Sequence, residues 1–286
     1  MKFNFIAENA LGAFEIEFMC EQLSVSRSGY YAHKKRAISQ RERNDFELVP
    51  LIHNEFGAYP RGCGSRTVVG ALRAQGHNVG RKRVVRLMHE ENLRARLKRR
   101  FVRTTQSDHD KPIAKNILNR SFEVGASNKV WASDITYIHT KRGWSYLAVV
   151  LDLGPRKLVG WCVSDTMGES LPLTALELAI RDRRPDPGLI HHSDRGAQYA
   201  GRAYQNLLTE SGIVCSMSRK GDCWDNACVE SFFSTLKREL PNDYVFEDWR
   251  DVERTVFEYI DGHYNTRRRH SALGYLSPNE YELRAA

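Results

Sequence analysis

The spacing of apolar positions changes character partway along the chain. In the first third they recur at helical intervals. E-I-E-F-M-C-E-Q-L, S-V-S and R-S-G-Y-Y-A-H-K-K-R (residues 15–36) place Phe18, Leu23, Val25 and Tyr30 on one seam. S-R-T-V-V-G-A-L-R-A-Q-G, H-N-V-G and R-K-R-V-V-R-L-M-H-E-E-N-L (residues 65–93) do the same with Val68, Leu72, Val84, Val85 and Leu87 or Met88. Gly76 stands where a helix end needs a left-handed residue. Each stretch predicts a helix–turn–helix pair, and each pattern also suits a small helical bundle that binds no DNA. Polar, weakly patterned residues from 104 to 127 read as a linker.

Beyond the linker, β-branched and aromatic residues crowd residues 130–138, 145–153 and 157–164, with K-R-G between the first two. Three successive antiparallel strands follow from this. Residues 172–181 and 199–211 carry helical patterns, while 188–192 and 213–217 are short apolar runs that suit buried strands. The expected fold is therefore α/β: a mixed five-stranded sheet flanked by helices, preceded by all-α segments. The expected domains are 1–45, 46–103 with a basic tail, a linker at 104–127, and 128–286 with a basic C-terminal region.

Composition narrows the function classes. The 286 residues carry 43 Lys and Arg against 35 Asp and Glu, a net charge of +8. The stretch 81–103 alone has ten basic and two acidic residues, equal to that whole excess. Charge this concentrated suits a polyanion, because Lys and Arg on phosphates release condensed counterions; a solvated basic helix face is the plainer alternative. Arg81, Lys82, Arg83, Arg86, Lys98, Arg99 and Arg100 are the candidate DNA contacts here. The longest apolar run, residues 146–151, is far short of the roughly 20 residues of a membrane span. The six cysteines form no C-x-x-C pair and read as reduced thiols, which together with the missing signal sequence points to the cytoplasm and the nucleoid.

Three acids stand where acids need a reason: Asp134 inside a strand, Asp194 after the run L-I-H-H-S, and Glu230 in a helix whose Val229, Phe232, Phe233 and Leu236 form the core stripe. Glu230, Ser234 and Lys237 share the adjoining face. Carboxylates brought together from a strand, a strand end and a helix repel unless a cation neutralises them, and hard oxygen ligands suit Mg²⁺ or Mn²⁺. Each acid alone also has a structural reading, as a bonded strand acid, a turn or a dipole partner. Asp152, Asp222 and Asp225 are competing acids, with Asp225 or Asn226 read as the N-cap of the Glu230 helix.

Four stretches decide between these readings: W-A-S-D-I-T-Y-I, H-S-D-R-G-A-Q-Y, S-R-K-G-D-C-W-D-N-A-C-V-E-S-F-F-S-T-L-K and Y-N-T-R-R-R-H-S-A-L-G-Y-L-S-P. With 35 residues between Asp194 and Glu230 and Lys237 seven after the glutamate, they resemble the DDE transposase and retroviral integrase superfamily. The likeness is greatest to second-reading-frame (OrfB-type) products of bacterial insertion sequences. S-V-S-R-S-G-Y-Y and R-A-Q-G-H-N-V-G-R-K-R-V-V-R-L-M also resemble the helix-turn-helix modules that precede this catalytic domain. The resemblance implies a ribonuclease-H-like catalytic domain with Asp134, Asp194 and Glu230 as catalytic residues and ligands of two Mg²⁺ or Mn²⁺ ions. It implies cleavage at element ends and 3′-hydroxyl strand transfer into double-stranded DNA, with Lys237, Arg267, Arg268, Arg269 and His270 on phosphates. It further implies a homo-oligomer on DNA and a partner or fusion from an upstream reading frame. A catalytically silent DNA-binding regulator and a nuclease of the same fold without strand transfer are the alternatives. The sequence departs from the family pattern at residues 58–66, at Trp224, and at Gly154-Pro155, where looser packing at a strand end is expected.

Overall fold

The computed structural model describes residues 2–9, 14–35, 39–95, 112–122, 124–219, 223–240 and 244–285. The chain forms two compact units, Met1–Leu51 and Ile52–Ala286.

In the first unit α1 (Lys2–Asn9), α2 (Ile16–Gln22) and α3 (Arg27–Lys35) close on Ile6, Met19, Cys20 and Tyr30. Leu23 and Val25 pack against this cluster as expected, whereas Phe18 is 47% exposed. The seam runs one residue later because α1, which the sequence pattern did not reveal, covers Met19 and Cys20 from the side. α4 (Gln40–Gly57) contributes residues to each unit.

The second unit begins with a helix pair, α5 (Ser65–Ala74) and α6 (Arg81–Glu90). Val68, Leu72, Val84, Leu87 and Met88 are buried, but Val85 is exposed on the outer face of α6. Gly76 has φ +90°; its N–H donates to Arg73 O and the N–H of His77 donates to Leu72 O, which satisfies the last carbonyls of α5.

The sheet comprises β1 (Val130–Thr140), β2 (Gly143–Asp152), β3 (Lys157–Ser164), β4 (Ile190–Ser193) and β5 (Val214–Met217), in the order β3-β2-β1-β4-β5. β1, β2 and β3 are antiparallel neighbours, while β4 and β5 join in parallel, as their helical crossovers α7 (Ser170–Arg183) and α8 (Arg202–Glu210) require. Both faces are covered, so the strands are apolar on both sides. Val130, Ala132, Leu147, Val149 and Leu151 pack against α9 (Ala227–Glu239) and α10 (Trp249–Tyr259); Trp131, Ala148 and Val150 pack against α7 and α8. Fully burying one such Leu or Val contributes about 1.5–3 kcal/mol. A π-helical turn, Ile260–Tyr264, and α11 (Pro278–Ala285) complete the unit.

Part of the stretch read as linker is fastened to the sheet. Ile117 and Leu118 N–H groups donate to Ser216 Oγ, Met217 N–H donates to Lys115 O, and Leu118 is buried in the core. The outer edge of β5 is thereby engaged at its Ser216–Met217 end, while Val214 at its start stays exposed. The expected loosening at Gly154-Pro155 is not found. A Cβ on Gly154 would lie 2.3 Å from Ala126 O, and its N–H donates to Asp152 Oδ1, so glycine permits a close backbone approach there. The competing acid Asp152 is accounted for in the same place: it is buried, accepts from the N–H groups of Asn128 and Gly154, and burial raises its pKa to about 6.

Candidate active site

Parallel pairing puts Val130 beside Ile190, Trp131 beside His191 and Ala132 beside His192. Continuing that register two residues brings Asp134 level with Asp194, just past the end of β4. Asp134 is opposite Val149 of β2, so it lies on the sheet face that α9 covers. Each aspartate is fixed by a local bond: Ile135 N–H donates to Asp134 Oδ1 at 2.8 Å, and Gly196 N–H donates to Asp194 Oδ1 at 2.8 Å.

Glu230 comes from the first turn of α9, whose Val229, Phe232, Phe233 and Leu236 are buried and leave Glu230 exposed beside them. The start of that helix is tied to β1 next to Asp134, because Asn226 Nδ2 donates to Ser133 O at 3.1 Å. The expected side-chain N-cap is absent: Asn226 occupies the cap position without a capping bond. Asp225 instead accepts from Asn116 Nδ2, Arg120 Nε and the Arg219 guanidinium and N–H, with its side chain fully covered. The Arg219 hydrogen bond leads these partners in holding its carboxyl well below the usual range.

The pKa of Asp134 moves the other way, well above the carboxylate range. Burial is the main cause, and the charges of Asp194 and Glu230 add to it against the Ile135 N–H and the Lys237 ammonium. The three acids thus meet electrostatically with Lys237 as a neighbouring cation. Crowding by protein atoms lowers the Lys237 pKa while Asp134 raises it. Tyr199, in the same H-S-D-R-G-A-Q-Y stretch as Asp194, has a buried hydroxyl that feels both Asp134 and Asp194, and no sequence signal singled it out. Hard, mutually repelling oxygen donors are the set that a divalent cation fits. As the side chains stand, no three His, Cys, Asp or Glu among the described residues form a closed metal cluster.

Behind Asp194 lies a buried polar layer. His191 meets Ser133 Oγ at 2.8 Å and Tyr204 Oη at 3.0 Å; His192 meets Ser216 Oγ at 2.9 Å and Ser218 Oγ at 3.1 Å. Burial lowers the two imidazole pKa values to about 3 and about 4, so both are neutral spacers that brace β4 between β1 and β5.

The candidate DNA contacts separate into three groups. Lys98, Arg99 and Arg100 lie outside the described residues. Arg81 and Lys82 are exposed at the start of α6, Arg83 is half-buried, and Arg86 pairs with Glu90 at 2.8 Å. In the C-terminal cluster only Arg267 is exposed. Arg268 pairs with Glu239 at 3.1 Å, Arg269 Nη1 donates to Tyr275 O at 3.0 Å, and burial lowers the His270 pKa to about 3, leaving it neutral. The phosphate-contacting reading of Arg268, Arg269 and His270 gives way to a structural one, because their polar groups are already engaged or covered by protein.

Residues 125–223 and 201–278 match the family described as "Integrase core domain", and residues 43–101 match "HTH-like domain". The "Insertion element IS600 uncharacterized 31 kDa protein" of Shigella sonnei is 42% identical, covering 91% of this chain and 96% of that protein. "Transposase InsF for insertion sequence IS3A" of Escherichia coli strain K12 is 38% identical, covering 99% and 98%. Among solved structures, a simian T-cell lymphotropic virus intasome with PP2A regulatory subunit B56 gamma aligns with a TM-score of 0.43 and 15% identity over 77% of this chain and 70% of that one. The magnesium complex of the HTLV-2 integrase catalytic core domain aligns at 0.40 and 16% over 55% and 97%.

Proposed function

Because the chain belongs to the insertion-sequence DNA transposases with an integrase core, we propose that Asp134, Asp194 and Glu230 are its catalytic carboxylates and metal ligands. It is a DDE-type polynucleotidyl transferase that acts on DNA. The observation that carries the site assignment is the meeting of three like charges from a central strand, a strand end and a flanking helix, with Asp134 feeling both others. Asp134, Asp194 and Glu230 would hold divalent cations, Mg²⁺ or Mn²⁺ and two per site, which when bound would polarise the scissile phosphate and acidify the attacking water or 3′-hydroxyl. The β1–β4 register and the Asn226 bond to Ser133, which ties the start of α9 beside Asp134, support this reading. Ile135 and Gly196 N–H groups hold the two aspartates in orientation. Lys237 holds a phosphate beside the carboxylates. Water attacks the phosphodiester at the element end and displaces a 3′-hydroxyl, leaving a 5′-phosphate on the flank; that 3′-hydroxyl then attacks a phosphate of a second strand and displaces its 3′-oxygen, and no side chain becomes covalently attached.

Joining two ends calls for more than one active site, so the working form is a homo-oligomer on DNA, with a partner or fusion from an upstream reading frame as a further component. The test is strand transfer on a labelled duplex bearing the element's terminal repeat, with Mg²⁺ or Mn²⁺, wild type against Glu230→Gln. Joined products from a species larger than one protomer are expected, falling at least about 100-fold in the variant, the scale of losing one charge-stabilising group. Cleavage without joining would turn the reading to a nuclease. Binding without cleavage by either protein would turn it to a regulator, or to a chain that cuts only with its upstream partner.

A further inference from the structure

A cleft of about 450 Å³ opens where α5 and α6 meet the loop before α11. Arg66, Gly70 and Arg73 lie along one face of α5, Arg81 stands at the start of α6, and Gly274 and Tyr275 form the opposite wall. Three guanidinium groups line it without a carboxylate among the described lining residues. That differs from Arg268, whose charge is answered by Glu239.

The cleft is built rather than incidental. A Cβ on Gly70 would lie 2.3 Å from the Tyr275 ring carbons, so the absence of a side chain there lets the ring close onto α5. The ring is presented by two successive left-handed residues, Gly274 at φ +64° and Tyr275 at φ +63°, a conformation costly for a bulky residue and held here by two bonds. Tyr275 N–H donates to His270 O at 2.8 Å and its carbonyl accepts from Arg269 Nη1 at 3.0 Å. On the other side, Arg73 Nε and Nη2 both donate to Val79 O, at 3.1 and 3.0 Å, which fixes the guanidinium plane before any ligand arrives. Arg81 Nε reaches Ser65 Oγ at 3.5 Å.

We infer that this cleft is a binding site for backbone phosphates of duplex DNA, gripped by Arg66, Arg73 and Arg81 on the helix pair and by Tyr275 on the catalytic side. The inference rests on reading DNA as the substrate of this chain. Planar, oriented guanidinium groups match phosphate oxygens, and such interactions set register without reading sequence. DNA held at α6 is thereby seated against the same framework, through Arg269 and Tyr275, that carries the catalytic sheet.

The test is duplex binding by the full chain, followed by fluorescence anisotropy across a salt series, for wild type, Arg66→Ala, the double variant Arg66→Ala/Arg81→Ala, and Arg181→Ala as a charge-matched control on α7. Arg66 and Arg81 are exposed, and thermal melts confirm that the variants stay folded. The slope of log K against log salt should fall by about 0.9 for each phosphate deprived of its arginine, near 1 for the single and near 2 for the double variant. Affinity should drop equally on terminal-repeat and scrambled duplexes, with Arg181→Ala unchanged. Slopes equal to wild type in both cleft variants would overturn the site. If wild type joins strands while those slopes hold, the cleft fails and the transposase reading stands. If the slopes fall but wild type joins nothing, the cleft stands and strand transfer by this chain alone fails.

Discussion

Asp225 and Glu230 are near neighbours in sequence and face opposite electrostatic surroundings. Asp225 is enclosed by Arg219, Arg120 and Asn116, and its carboxyl is held below the ordinary range, led by the Arg219 hydrogen bond. Glu230 belongs with Asp134 and Asp194, where burial and like charge push Asp134 up and Lys237 only partly answers it. Glu239, one helix length further on, repeats the Asp225 pattern: burial raises it, but His263 at 3.7 Å, Arg268 and the Tyr259 hydroxyl outweigh that and hold it low. Carboxylates matched with cations hold the fold together. Carboxylates that repel one another weaken it, and such an arrangement persists where a metal or substrate supplies the balancing charge.

The largest expected effect breaks a matched pair. Arg268→Ala leaves Glu239 covered without its main counter-charge and should cost about 3–5 kcal/mol in urea denaturation. A cost under 1 kcal/mol would mean that Arg268 is not holding the fold.

Asp225→Asn comes next, at about 2–3 kcal/mol near neutral pH, because several charge-assisted hydrogen bonds weaken together. Its folded pKa lies below the unfolded value, so this stability is present above the ordinary carboxylate pKa of about 3.9 and lost as pH falls through the folded value. Asp134→Asn should differ in sign. With a folded pKa above the unfolded one, Asp134 costs stability as pH rises through the folded value, so at neutral pH the metal-free variant should melt no lower than wild type. A destabilised Asp134→Asn protein would erase the distinction between the two regions.

The smallest effect separates neighbours in the arginine run. Arg267→Ala should stay within about 0.5 kcal/mol of wild type in stability. It should still reduce the salt slope of DNA binding by about 0.9, which Arg268→Ala should leave intact. Equal slopes for wild type and Arg267→Ala would remove the remaining phosphate-binding role assigned to this run.

Much of the fold is legible in the residues alone. The strands and crossover helices of the sheet announce themselves because buried strands are apolar on both faces and their turns carry glycine. Gly76 marks a helix end for the same local reason, its positive φ. The three acids and Lys237 are readable from motif and interval. The first seam slips by one residue because α1, not α2 itself, decides that Met19 and Cys20 are covered while Phe18 is not. Asp225 looks like a helix cap because the cap is a local device, whereas it bonds instead to Arg219, six residues before it, and to Arg120 and Asn116, more than a hundred residues away.

Local periodicity and residue chemistry were enough for the five strands and their two crossover helices in chain order, the split between helical and sheet segments, the basic excess and the identity of the candidate carboxylates. Which charges are matched was settled only by the packed fold. It turned Arg268, Arg269 and His270 inward, enclosed Asp225, seated Gly154 against Ala126, and brought Tyr275 onto Gly70. The reason is physical. Burial and ion pairing depend on distances between residues far apart in the chain, and a charge's partner is set by which surfaces the packed core brings together.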